Sequence, residues 1–417
     1  MPSYFTLFGH WLRLLTPATA ACKQLELFRV SNLESILRRL KLTSGPVLFS
    51  AVIVTALSLP AHAEITVLDK NSFNNTLLDP LSLQVGGSIR PEFIWNNGPE
   101  PGYDKNGHDG GTRFRFTSDY SLTPHTSVVG YYEWGVDIAH VLGMDSHYDH
   151  DSPRDFQRQL YGGIKDDRYG TLTYGHQYGA YYDAIGVKSD VWDNDGHASA
   201  NWIGVGGDYD GGERPKNTLK YTNTFGDLTL YADYLLPEDE KWMGDDMYYR
   251  RNHGGGIGAD YQLQKDLTVS AAWNQTKATI KNSVGDSKGY NQQYSGAAVT
   301  WQPDNWYLVG TATWYKHYVP TTRTATVNRY FSGDGYGLES FAGYTFQINK
   351  PLLHSIQPYL GADTLRLKGD EDYHANHVYL GMYTQIAYGF SFYLERTLAA
   401  STDHEDDTTW LSIYYDF

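Results

Sequence analysis

The sequence predicts an all-β chain that closes on itself as a transmembrane antiparallel β-barrel of about sixteen strands. Three observations predict it. Segments about ten residues long alternate apolar and polar positions, and their connections are alternately short and long. Beyond residue 63 no apolar run reaches roughly 18 residues, the length a spanning helix needs. The composition agrees: 35 Tyr, 11 Trp and 42 Gly among 417 residues favour strands over helices. By length alone the chain could hold two domains, but a large barrel uses that length as one closed sheet. A mean hydropathy of -0.49 is compatible with membrane residence, because a barrel hides its apolar band in alternation.

Ahead of the alternating region, Arg38, Arg39 and Lys41 precede the apolar run 46–59 and the small-residue site Ala61-His62-Ala63, the pattern of an export signal. Cleavage is expected before Glu64. Residues 1–63 are then a removed N-terminal extension with signal peptide, and 64–417 form a single barrel domain. The only cysteine, Cys22, goes with the removed part. That removal takes six basic and two acidic side chains and carries the formal charge from -15 to -19. Such an acidic chain is a poor partner for nucleic acid and favours cations along its polar surfaces.

The segments run from 81–96 to 407–417 and include 253–263, 267–278 and 291–302. A count of fourteen or eighteen fits the same rhythm. Short polar connections such as Thr123-Pro124-His125, Gly226-Asp227, Pro303-Asp304-Asn305 and Tyr388-Gly389 read as hairpin turns, which puts long stretches such as 97–110, 139–156 and 237–252 on the opposite rim. Within the last segment Leu411, Ile413, Tyr415 and Phe417 fall on one face, the lipid face, and Trp410, Ser412 and Tyr414 on the other. A soluble sandwich alternates too. The ensemble of many strands, alternating turn lengths and an export signal separates the two.

Alternation also points inward. With Leu81, Leu83, Val85 and Ile89 outward, Arg90 and Glu92 face the lumen; with Phe114 and Phe116 outward, so do Arg113 and Arg115. The longest connection, 180–215, holds Asp183, Asp190, Asp193 and Asp195 together with Trp192 and Trp202.

Three stretches resemble the Gram-negative general-diffusion porins. The run Trp410 to Phe417, with its terminal aromatic, is similar to the strand that the barrel-assembly machinery recognises in that family. The stretch Gly162 to Asp183 is similar to its fourth strand, periplasmic turn, fifth strand and the start of its third loop, and Tyr182-Asp183-Ala184-Ile185-Gly186 to the opening of that loop. After Gly186 the chain departs from the family pattern and lacks its Pro-Glu-Phe-Gly-Gly run.

The resemblance implies an outer-membrane homotrimer, latched by the loop at 139–156, that passes small hydrophilic solutes and ions through a water-filled lumen. It implies that 180–215 folds inward as the third loop, setting its four aspartates against a basic wall. Arg113, Arg158 and Lys216 match basic positions of the family and join Arg90 and Arg115 as candidates for that wall. Trp192 and Trp202 are candidates for stacking sugar rings, which a substrate-selective porin would need, or for packing the loop against the wall. Contact with outer-membrane lipid and lipopolysaccharide is implied at the rims.

No motif selects a nucleophile or its base, so catalysis is not expected. No cofactor and no metal site is expected. The acidic run 145–151, with His147 and His150, reads as a solvated loop, and Gly254-Gly255-Gly256 as strand positions, since no helix follows to cradle a phosphate.

Overall fold

The computed structural model describes residues 64–74, 76–96, 108–142, 154–194, 196–320, 326–331, 333–369 and 372–417. The expected export segment 1–63, Asp195, and the acidic run with His147 and His150 lie outside the described residues.

Sixteen antiparallel strands close into a barrel. In chain order they are β1 (Leu81–Ile89, continued as Pro91–Asn96), β2 (Arg113–Ser121), β3 (Thr126–Val136), β4 (Asp155–Asp166), β5 (Gly170–His176) and β6 (Thr218–Phe225). Then come β7 (Leu228–Leu235), β8 (Met247–Gln264), β9 (Leu267–Asn282), β10 (Ser287–Trp301) and β11 (Trp306–Val319). The wall ends with β12 (Gly333–Tyr344, continued as Phe346–Gln347), β13 (Leu353–Lys368), β14 (Asp372–Ile386), β15 (Phe390–Ser401) and β16 (Thr408–Asp416). Each strand pairs with its neighbours in sequence, as hairpins dictate.

The last strand returns to the first. Ser412 faces Glu92 and Asp416 faces Ser88, so the register holds across the break at Arg90. The Gly87 N–H donates to Phe417 O at 2.8 Å and the Phe417 N–H to Gly87 O at 3.1 Å. Beyond that point a short strand, Ile65–Leu68, takes over the pairing with Val85, Gln84 and Leu83. Among the described residues the seam is thereby paired from Leu83 to Ile89. A Cβ on Gly87 would sit 2.8 Å from the Phe417 ring. Only glycine admits that ring beside the seam.

Short turns lie where the sequence predicts them. Tyr388 and Gly389 join β14 to β15 with φ of 64° and 82°. Those are the two positive values that a tight hairpin demands. Three strands run further than the alternation predicts: β8 starts at Met247 rather than near 253, β9 continues to Asn282, and β10 starts at Ser287. The stretch 237–252 is therefore only partly loop. Its extension is held because Met247, Tyr249, Ala278 and Ile280 turn inward onto Val205, Val327, Tyr330 and Phe331, an apolar cluster that alternation alone does not reveal.

Burial is inverted relative to a water-soluble protein. Leu360 and Leu380 stand opposite each other on β13 and β14, each 49% exposed, while Tyr379 beside them is fully buried in the lumen. Ile164, Leu172, Ile257, Val299, Leu338 and Leu394 are likewise exposed. Lipid tails are what cover such a band.

The lumen is filled on one side by the connection between β5 and β6. Tyr181, Ala184, Ile185, Ala198, Ala200 and Ile203 of this loop pack on Ala272, Tyr294, Ala298, Tyr315, Tyr318, Leu365 and Ala375 of β9, β10, β11, β13 and β14. This is the inward third loop that the resemblance implied.

Leu380→Arg should lower the folding free energy into a bilayer by about 2–4 kcal/mol, the usual penalty for an outward cation near mid-strand. Urea titration in vesicles, followed by tryptophan fluorescence, measures it; Thr117→Arg, on the lumen face of β2 with Arg115, serves as the contrast.

Candidate functional site

Because the loop leans on β9 to β14, the open space lies on the other side, against β1, β2, β4 and β16. There a cavity of about 720 Å³ is lined by Arg90, Arg113 and Arg158 on the wall and by Asp190, Asp193, Asn194 and Trp202 on the loop. Period-two alternation puts Arg90 and Arg113 at inward positions. Arg158 sits at a bulge, where the β3–β4 register shifts.

Each arginine is held in place. Arg90 Nε donates to Ser88 Oγ at 2.8 Å, and its guanidinium lies 4.2 Å from the centroid of the Tyr414 ring. Arg113 Nε donates to the Gly111 carbonyl at 2.8 Å. Arg158 Nε donates to Glu133 Oε1 at 2.8 Å. Arg115 is inward as predicted but stands aside from the cavity, with its Nε 3.8 Å from Glu133. Lys216 corrects the expectation of a cavity-lining cation. Its ammonium is 3.7 Å from Asp208 in a separate groove that also holds Leu160, Tyr174 and His176, because the chain has already left the lumen when it reaches β6.

The acidic side is equally specific. Asp193 accepts hydrogen bonds from Ser412 Oγ at 2.6 Å and Tyr414 OH at 3.2 Å, both on the lumen face of β16. Burial pushes its carboxyl up to about 6 despite those bonds. Asp190 accepts the Tyr182 hydroxyl. Asp183 is not at the cavity: it is bound to Lys220 Nζ at 2.6 Å, near the loop's start. Of the two tryptophans, Trp192 is spent on packing, stacked 5.7 Å from Phe341 and beside Tyr379, whereas Trp202 is 52% exposed.

Four wall carboxylates hold the loop's backbone. Asp233 accepts the Ala180 N–H at 2.6 Å, Glu339 the Ala198 and Ser199 N–H groups at 2.9 and 2.7 Å, Asp363 the His197 N–H at 2.9 Å, and Glu395 those of Asp193 and Asn194 at 3.1 and 3.2 Å. Sequence reasoning missed these anchors, and also Arg214, Glu213 and Asp109, which line the cavity. A signal existed for the anchors: an acidic residue at an inward position in the middle of an alternating strand. Glu213 and Arg214 gave none, since a charged pair before a strand usually faces water. Burial pushes Glu213 up, against the opposing pull of Arg214.

Glu339→Ala should orphan two buried N–H groups at about 1–3 kcal/mol each. The barrel should keep its heat-modifiable migration while bilayer recordings flicker between conductance levels as the loop loosens.

The sequence profile of the Gram-negative porin family matches residues 50–344. The outer membrane protein YedS of Escherichia coli is 23% identical over 343 residues, covering 79% of this chain and 90% of that protein. The outer membrane porin PhoE of Klebsiella pneumoniae is 23% identical over 332 residues, covering 78% and 84%. Among solved structures, Salmonella typhi OmpF in complex with daunomycin superposes with a TM-score of 0.63 at 17% identity, over 81% of this chain and 98% of that one. An anion-selective porin from Comamonas acidovorans superposes at 0.54 with 14% identity, over 81% and 100%.

Proposed function

The chain belongs to the Gram-negative porins, channels of the outer membrane rather than enzymes, and on that premise we propose a general-diffusion passage with a cation preference. The lining of one cavity by Arg90, Arg113 and Arg158 together with Asp190 and Asp193 carries the reading. Fixed charges of opposite sign on facing walls make a transverse field that orients a dipolar solute, and low-dielectric walls focus it. Carboxyl and guanidinium groups line the cavity together, and the chain's formal charge of -15 points to cations. The fold alone does not decide the sign, since a barrel of the same architecture is anion-selective.

A second reading rests on the exposed Trp202, which shares the cavity with Tyr178 and Tyr182, two rings stacked 4.2 Å apart. Such faces suit sugar rings. Block of single-channel current by a sugar at micromolar concentration favours this selective reading; an unblocked ohmic channel favours general diffusion.

A homotrimer is the assembly this reading implies; a solved Vibrio cholerae outer membrane protein of this fold is described in trimer form. Lipopolysaccharide at the outer rim and the assembly machinery at the strand ending in Phe417 complete the proposed partners.

The pH dependence has a definite sign. Asp193 is ionised above about 6 and neutral below it. Reversal potentials in a salt gradient should therefore show cation preference falling as pH drops through about 6, and Asp193→Asn should abolish that step. Replacing both Asp190 and Asp193 by Asn should lower the preference at neutral pH, and an unchanged reversal potential sinks the assignment.

A further inference from the structure

At the edge of the cavity, three parts of the chain bring metal-ligating side chains together. His197 comes from the inward loop, His377 from the lumen face of β14, and Glu405 from the connection between β15 and β16. One ligand atom from each lies within 4.8 Å of the other two. The imidazoles of His197 and His377 stand 5.0 Å apart at 77°, edge to face.

The supporting groups have the form of a metal site's outer shell. His377 Nδ1 lies 2.7 Å from Asp363 Oδ1, so the carboxylate fixes the ring and directs Nε2 toward Glu405 Oε2, 2.8 Å away. A carboxylate behind a ligating imidazole orients the ring and raises its basicity. The same Asp363 accepts the His197 backbone N–H at 2.9 Å, so one residue positions both histidines.

His377 spends both ring nitrogens on carboxylates, so an ion at its Nε2 takes the place of the proton it shares with Glu405. The ring nitrogens of His197 hydrogen-bond to none of the described residues.

We infer that His197, His377 and Glu405 form a binding site for a divalent transition-metal ion of the zinc and copper class, with a fourth position open to the cavity. Two imidazole nitrogens with one carboxylate suit borderline ions rather than the oxygen-seeking Ca²⁺ or Mg²⁺. Ligands about 2.0–2.2 Å from zinc sit roughly 3.3 Å from one another in a tetrahedron. The observed spacing reaches that by turning the His197 ring and drawing in Glu405, whose side chain is 41% exposed and offers the way in. The ion would tie the loop to the wall and to the connection before β16, and bring positive charge beside Asp193. Binding does not depend on the direction of charge preference proposed above.

The test uses the untagged full-length protein in detergent, stripped with chelator. Titration with Zn²⁺ should give one chelator-reversible site per chain, and Cu²⁺ in its place should show nitrogen hyperfine splitting from two imidazoles in electron paramagnetic resonance. His197→Ala should remove one nitrogen from the spectrum, and both His197→Ala and Glu405→Gln should weaken Zn²⁺ binding by at least about tenfold, the lower end of what loss of even a supporting group costs. Heat-modifiable migration checks that each variant remains a folded barrel. Absence of a stoichiometric site in the wild type, as when the trio holds only a proton, overturns the inference. So does binding that both variants leave unchanged.

Discussion

The capture of the inward loop's backbone by carboxylates of the wall shapes everything else in the lumen. A chain segment buried in a barrel must satisfy its N–H groups without the help of a ladder. Asp233, Glu339, Asp363 and Glu395, on β7, β12, β13 and β15, supply the acceptors. Such hydrogen bonds contribute about 0.5–1.5 kcal/mol each, and they fix position as well as energy. Tyrosines complete the fastening from the donor side: Tyr318 OH donates to the Ala200 carbonyl at 2.8 Å and Tyr307 OH to that of Lys188 at 2.7 Å.

Once the loop is fastened to that half of the wall, the position of the passage follows. The open half is bounded by β1, β2, β4 and β16, and the first three of those strands carry the arginines. Asp193 illustrates how closely structure and charge are joined. Its backbone is held by Glu395 on β15 while its side chain is held by Ser412 and Tyr414 on β16, so one residue sits at the crossing of two constraints. Neither the position of that charge nor its ionisation is set by the loop alone.

Much of this is legible in the amino-acid order. Period-two alternation gives a count near sixteen, the outward face of β16, and the inward aim of Arg90, Arg113 and Arg115, because a strand has only two faces to choose from. Turn chemistry places Tyr388-Gly389 and Gly226-Asp227 for the same local reason. What stays hidden is what depends on contacts far apart in sequence. Lys216 follows basic residues of the lumen in type, yet the chain's exit path puts it elsewhere. Trp192 and Trp202 are alike in sequence, and only the presence of Phe341 and Tyr379 decides that one is packed and the other exposed. His197, His377 and Glu405 come from distant segments with no common spacing to betray them.

The seam between β1 and β16 has a consequence for how the molecule comes into being. Ser88 pairs with Asp416, and Ile65 lies next in the same ladder, so the first contacts of the barrel in space are among the last available in time. Closing so large a loop is entropically slow, and until it closes the growing sheet keeps two open edges. A cylinder of this kind cannot be finished piecemeal as the chain emerges: the sheet acquires its inside, and the loop its place there, only when the tail has met the head.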